Sequence, residues 1–234
     1  MSFGFAIRNP SGRLWMSPEV SPMNLIERLT ITAAHGATFT TSIPKDIPIM
    51  IFVSYAKKVN TYMFEQTEVS GFHAYKISGG VFIFYPATSE IPEEYTMGNH
   101  QTSLMTVYVF AAMAKKTTRY GLAIYNASGR LVYSAQMRPL QLCHYQTNHT
   151  KTIDIDMKES IAVAPMHYSM TGEENNEGDL FDWYTTYNYW VGAYKNSVYN
   201  ALTIKYEFAG IINDFNKSNA LSGFFYIKTA IYDK

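Results

Sequence analysis

The 234 residues carry 19 basic and 19 acidic side chains, so the formal net charge is zero, and charged residues make up 16% of the chain against about 25% in an ordinary soluble protein. Sparse, balanced charge gives no electrostatic reason to expect nucleic acid or an anionic membrane as partner, and no stretch reaches the roughly 18 uncharged apolar residues that a spanning helix needs. With 19 Tyr and one cysteine, Cys143, the surface must present neutral polar and aromatic groups, and no intrachain disulfide can form.

The first element is a hairpin. Phe3, Phe5 and Ile7 alternate with Gly4, Ala6 and Arg8, which is strand periodicity. Asn9-Pro10-Ser11-Gly12 follows, the chemistry of a type I turn closed by a left-handed glycine, and Arg13–Ser17 forms the return strand. The opening shows neither a basic n-region nor an apolar h-region, so no signal peptide is expected.

The same hairpin is written again 117 positions later. Gly4–Leu25 aligns without gaps on Gly121–Leu142, and 11 of 22 pairs match: Gly4, Ala6, Ile7, Asn9, Ser11, Gly12, Arg13, Leu14, Ser17, Pro22 and Leu25 with their partners. Background composition gives about one or two. Asn126 and Gly129 retain the turn, and Ala127 replaces Pro10. The period equals half the chain, so two tandem copies of one domain are expected, at 1–116 and 117–234. Each is large enough for its own core.

Between the hairpins, Ile47–Tyr55 is almost continuously apolar and reads as a central strand. Ala74–Ser78 and Val81–Pro86 flank Gly79-Gly80 as a second hairpin, and Leu104–Met113 closes the first half. Ala114–Arg119 is a basic connector. In the second half, Thr152–Met157 and Ala201–Ile212 alternate apolar and polar residues, and Gly223–Tyr232 closes the chain. At an offset near 118, Tyr108 and Ala112 correspond to Tyr226 and Ala230. No dozen residues show a 3.6 period, so the expected class is all-β: two tandem homologous antiparallel β-sandwich domains.

Catalytic signatures are missing. There is no phosphate loop, dinucleotide fingerprint, nucleophile elbow, HExxH or CxxC, so no enzyme activity and no cofactor are expected. The six histidines are scattered, and His144 and His149, five apart, point to opposite strand faces, which makes a histidine metal site unexpected. Cys143 reads as a small buried apolar residue. Thr171–Asp182 gathers Glu173, Glu174, Glu177, Asp179 and Asp182, and is expected to be a solvated loop; calcium binding or a glycosidase pair is the alternative chemistry.

Trp183–Tyr199 is the most unusual composition. Tyr184, Tyr187, Tyr189, Trp190 and Tyr194 are the candidate contact or glycan-binding residues, because rigid amphipathic rings suit interfaces and sugar-stacking platforms. An aromatic core is the competing explanation. Asn9, Gly12, Asn126 and Gly129 are expected to serve the hairpin turns alone.

The opening GFAIRNPSGRLWMS, echoed as GLAIYNASGRLVYS, resembles the start of small tailed-bacteriophage structural proteins, associated with the tail or tail fibre and built on a duplicated β domain. The resemblance implies a virion component made in the host bacterial cytoplasm, with other tail proteins as partners and a homo-oligomeric assembly. A carbohydrate- or receptor-binding sandwich, contacting a host surface glycan through the aromatic stretch, is the alternative, and a hydrolase using the acidic loop is a third.

Overall fold

The apolar run ending at Tyr55 becomes the strand around which the rest is arranged. In the computed structural model, residues 7–8, 10–12, 14–16, 21–34, 36–58, 63–78, 82–85, 102–114, 121–147, 153–175, 183–209 and 218–233 are described. Their strands are β1 (Ile7–Arg8), β2 (Leu14–Met16), β3 (Asn24–Ala33), β4 (Thr38–Pro44), β5 (Ile49–Tyr55), β6 (Met63–Val69), β7 (Phe72–Ser78), β8 (Phe82–Tyr85) and β9 (Ser103–Ala111) in the first half. The second half holds β10 (Ala123–Tyr125), β11 (Leu131–Ser134), β12 (Cys143–Gln146), β13 (Asp154–Asp156), β14 (Ile161–Val163), β15 (His167–Asn175), β16 (Trp183–Tyr194), β17 (Ser197–Ala209), β18 (Ser218–Ala220) and β19 (Gly223–Lys228), then a 3-10 turn at Thr229–Ile231. The protein is all-β.

The central sheet runs β3-β9-β5-β14-β19-β12, every neighbour antiparallel. Its two outer strands approach each other at one end. Asn24 bridges Pro139, the Leu25 N–H donates to the Arg138 carbonyl at 2.9 Å, and the Leu140 N–H donates to that of Met23 at 2.8 Å. Met23 and Leu140 are themselves 117 residues apart, so the segments that meet belong to the sequence repeat.

Period-two alternation sorts the core into two clusters. Inside the curl lie Phe52, Tyr108, Phe110, Ala162, Ile227 and Tyr232. On the opposite face Val53, Val107, Val109, Val163 and Phe224 pack against two covering layers. One is the sheet β4-β7-β6, which contributes Phe39, Ile43, Tyr75 and Ile77; the other comes from β13, β16 and β17, with Ile153, Val191, Ala193 and Val198.

The two hairpins repeat in three dimensions. Ile7 pairs with Met16 and Arg8 with Leu14; 117 residues on, Ile124 pairs with Tyr133 and Tyr125 with Leu131, with the bulge at the same step. Gly12 and Gly129 have φ of +79° and +76°, a region a side chain enters only with strain. The Asn126 side chain accepts from the Ser128 and Arg130 N–H groups at 3.1 and 2.8 Å. Asn9 lies outside the described residues.

Several expectations need correction. Gly79-Gly80 is outside the described residues, but the strands on either side of it are not partners: β7 pairs with β4 and β6, while β8 runs parallel to β17. The hairpin of this region turns at Ser70-Gly71, where φ is +51° and +82°, between Val69 and Phe72. Tyr108 and Tyr226 do not correspond. Tyr108 faces the inside of the curl with Ile227, whereas Tyr226 packs on the other cluster, a one-residue slip that exchanges faces. Sheet pairing also crosses from one half to the other: Val53 pairs with Val163, Tyr55 with Tyr194, and β8 with β17. Described strands of both halves therefore share one sheet, and the two tandem sandwiches expected at 1–116 and 117–234 are not confirmed.

The C-terminus closes the inner cluster. Tyr232 is buried, its ring 5.0 Å from that of Phe110. Its hydroxyl donates to the Pro139 carbonyl at 3.0 Å and accepts the Gln141 N–H at 2.8 Å. The Asp233 carboxylate accepts from the Tyr108 hydroxyl at 2.7 Å and from Arg28 Nε at 3.0 Å, and Arg138 donates to the Tyr232 carbonyl at 2.9 Å. Burial, and then the hydrogen bond to Asp233, push the Tyr108 phenol up to about 12.

Candidate functional site

The aromatic candidates all lie on β16, the middle strand of a long ribbon between β15 and β17. Tyr184 is registered opposite Glu174 and Phe208, Tyr187 opposite Thr171 and Lys205, and Tyr189 opposite Ser169 and Leu202. Trp190 stands opposite His167 and Ala201, and Tyr194 opposite Ser197. Tyr189, Trp190 and Tyr194 are half-buried, and the Lys195 ammonium stands 5.1 Å from the Tyr194 ring centroid. Val191 and Ala193, by contrast, are buried core. The strand thus passes from half-buried rings into small core residues, and the β16–β17 turn is closed by Lys195 at φ +53°.

The acidic segment is not wholly a loop. Thr171–Asn175 belongs to β15, with Glu173 and Glu174 registered opposite Thr185 and Tyr184; residues 176–182 lie outside the described part. Among the described residues no three His, Cys, Asp or Glu side chains gather as metal ligands. Cys143 is half-buried on β12 instead of fully buried. His144, its neighbour, is exposed against Phe225, ring centroids 5.1 Å apart, and His149 is outside the described residues. Of the basic connector only Ala114 is described.

A second feature was not anticipated from the sequence. A cavity of about 630 Å³ opens where the repeated hairpin β10–β11 leans on the first half, within the usual range for ligand sites. Its walls come from four separated segments: Ser21, Asp46–Pro48, Ala112–Ala114, and Tyr125 with Gly129–Leu131. Ile47, Pro48, Met113 and Leu131 supply its apolar lining, Tyr125 lines it while 56% exposed, and Asp46 and Arg130 bring one charge of each sign.

Hydrogen bonds fix these walls from behind. The Ser21 hydroxyl donates to the Val132 carbonyl at 2.6 Å, which holds the hairpin to the segment before β3. Asn24, wholly buried, donates through Nδ2 to the carbonyls of Pro22 and Met113 at 2.5 and 3.2 Å. Buried His73 reaches the Ile47 carbonyl through Nε2 at 2.8 Å, and Gln66 Nε2 lies 2.9 Å from its Nδ1. A carbonyl only accepts, so Nε2 carries the proton and Nδ1 accepts from the Gln66 amide. Asp46 and Arg130 differ from all of these: both are exposed, and among the described residues neither side chain forms an ion pair.

One local signal pointed here. Asn, Ser and Gly of the repeated turn are explained by the turn itself, but the retained arginine side chain is not: Arg130 enters the turn only through its backbone, its N–H donating to the Asn126 side chain and its carbonyl accepting the Asn126 N–H, while its guanidinium lines the cavity. Comparison of the chain with protein-family models, with curated proteins and with solved structures finds no match.

Proposed function

We propose that this protein is a structural component of a bacteriophage virion, associated with the tail, tail tip or fibre, which acts through subunit contacts in a symmetric assembly. The observation that carries the reading is the surface. Leu122, Tyr125 and Leu104 are 61%, 56% and 55% exposed, and Leu142, Phe225 and Leu221 stand above 39%, on a chain with only 16% charged residues. Apolar groups left in water with so little charge around them are suited to burial by neighbouring subunits. The resemblance of the repeated hairpin to tail-associated proteins gives that contact role its setting.

Light scattering across a concentration series, with gold-labelled antibody on intact particles, tests it. A discrete oligomer and label confined to the tail are expected. A monomer at every concentration, with no label on the particle, overturns the proposal.

The half-buried rings of Tyr189, Trp190 and Tyr194 support a second reading, in which β16 contacts a host surface glycan. Binding on a glycan array that is lost in Trp190→Ala, with the melting temperature unchanged, distinguishes it from a core role.

A further inference from the structure

We infer that the cavity beside β10–β11 is a receptor for a short extended polypeptide segment bearing one acidic and one basic group, supplied by a partner subunit. This deepens the subunit-contact reading above and rests on it for the source of the segment.

Three observations converge. First, Asp46 and Arg130 line one cavity as exposed charges of opposite sign without an ion-pair partner among the described residues. A purely anionic ligand such as phosphate gains from Arg130 but is opposed by Asp46, and a purely cationic one meets the reverse. A ligand carrying both signs satisfies both, its carboxylate accepting from the guanidinium fork and its ammonium resting on Asp46. Second, the same cavity is lined by the apolar side chains of Ile47, Met113 and Leu131. Aliphatic side chains of a peptide are its natural complement, whereas a sugar ring asks for more than the single aromatic, Tyr125, present here. Third, the volume of about 630 Å³ is far beyond one free amino acid and suits a stretch of a few residues.

The site is also prepared in advance. The Ile47 carbonyl is held by buried His73, itself bonded to exposed Gln66, and the Met113 carbonyl by buried Asn24, so the backbone behind the apolar walls is fixed before binding. The repeat adds its own weight: Arg130 is the copy of Arg13, and the backbone of the turn does not require arginine there.

The test titrates the capped pentapeptide Lys-Leu-Ala-Leu-Glu into the full-length protein, followed by amide NMR shifts, with circular dichroism confirming that each variant is folded. Saturable shifts at Ile47, Met113, Tyr125 and Leu131 are expected at about millimolar affinity. Asp46→Asn, Arg130→Ala and the uncharged peptide Gln-Leu-Ala-Leu-Gln should each weaken binding about threefold to fivefold, the range of exposed ion pairs. Asp46→Lys alone should weaken it more, and adding Arg130→Glu should restore it, since a ligand with both signs can lie the other way round.

No saturable shift up to about 5 mM peptide, or equal binding by wild type and all variants, overturns the inference. So does tighter binding of inorganic phosphate or of chitotriose at the same resonances. Because the titration uses no virion, tail labelling without peptide binding removes this inference alone. Peptide binding by a protein absent from the particle removes the proposed function instead.

Discussion

The strand sets β3-β9-β5 and β12-β19-β14 follow one plan with different materials. Each is an antiparallel trio with the last-formed strand in the middle, and the two join edge to edge at Val53 and Val163. In the first trio the inner face carries Met50, Phe52, Tyr108 and Phe110; in the second, the matching face carries Ala162, Ala164 and Ile227. Bulky residues on one side and small ones on the other leave room between them, and Tyr232, delivered by the turn that ends the chain, occupies it. The two trios thus complement each other: the second carries less side-chain volume on this face, and Tyr232 fills the cluster beside it. Close packing demands this, because an unfilled interior forfeits contacts on every wall.

The comparison breaks most visibly at Tyr232. Tyr232→Ala should cost about 3–5 kcal/mol, measured by urea denaturation, since it empties the space the second trio leaves and strands the Gln141 N–H. Tyr232→Phe keeps the ring and loses the hydroxyl, and about 1–3 kcal/mol is expected. If both substitutions cost less than about 1 kcal/mol, the C-terminal turn is not a member of the core.

Part of this arrangement was legible in the sequence. Ile47–Tyr55, Leu104–Met113 and Gly223–Tyr232 announce β5, β9 and β19 through apolar runs of strand length, and Ile153, Ile155 and Met157 alternate with exposed Asp154 and Asp156 as period two requires. Pairing was not legible, because a strand's periodicity says which face is buried and nothing about which strand lies beside it. Hence β8 was assigned to β7 across two glycines when its partner is β17, more than a hundred residues away. The Tyr108–Tyr226 match failed for a related reason: identical residues one position out of step occupy opposite faces. The cavity was illegible because its walls come from four distant segments; the retention of the Arg13 side chain as Arg130, which the turn's backbone does not require, is the trace it left.

The trios also differ in what alkali does to them. Tyr108 belongs to the first trio but hydrogen bonds to Asp233 beyond the second, and its phenol is held up at about 12 against 10 when exposed. Below pH 10 both folded and unfolded chains keep this proton, so its stabilising effect is complete there. As pH rises from 10 to 12 the unfolded chain releases the proton first, and stability falls by about 2 kcal/mol. Denaturation free energies at pH 9 and pH 11.5 should show that drop, and Tyr108→Phe should flatten it. An unchanged slope in the Phe variant would assign the alkaline loss to other tyrosines, such as Tyr232 and Tyr75, which burial also pushes up.

A smaller effect is expected at the far end of the second trio. There Gly223 pairs with Gln146, and a Cβ at Gly223 would collide with the Tyr145 carbonyl oxygen and lie 2.6 Å from His144 Nε2. The histidine can swing aside, but the carbonyl can retreat only if β12 moves. Gly223→Ala should therefore cost about 1–3 kcal/mol. In the first trio the corresponding end pairs Ser103 with Ala33, both with side chains, so Ser103→Ala should cost much less. Equal melting temperatures for the two variants would show that the close approach belongs to one trio's geometry in name only.

The finest test of the duplication lies in its best-preserved part. Gly12 and Gly129 share a φ within a few degrees, +79° and +76°, and an added Cβ meets nothing within 4 Å at either site. With no clash to relieve, the whole penalty of Gly→Ala comes from placing an L-residue in the left-handed region, about 1 kcal/mol. The two hairpins have the same register and the same bulge, so the penalty should be the same in both, and Gly12→Ala and Gly129→Ala should lower the unfolding free energy equally. The double variant should show their sum, since the sites share no partner. What separates the hairpins is their attachment: β10–β11 is tied to the first half through Ser21 and Val132 and forms one wall of the cavity. If Gly129→Ala destabilises and Gly12→Ala does not, the first hairpin stands outside the cooperative unit, and the repeat has kept its turn chemistry there without its structural duty.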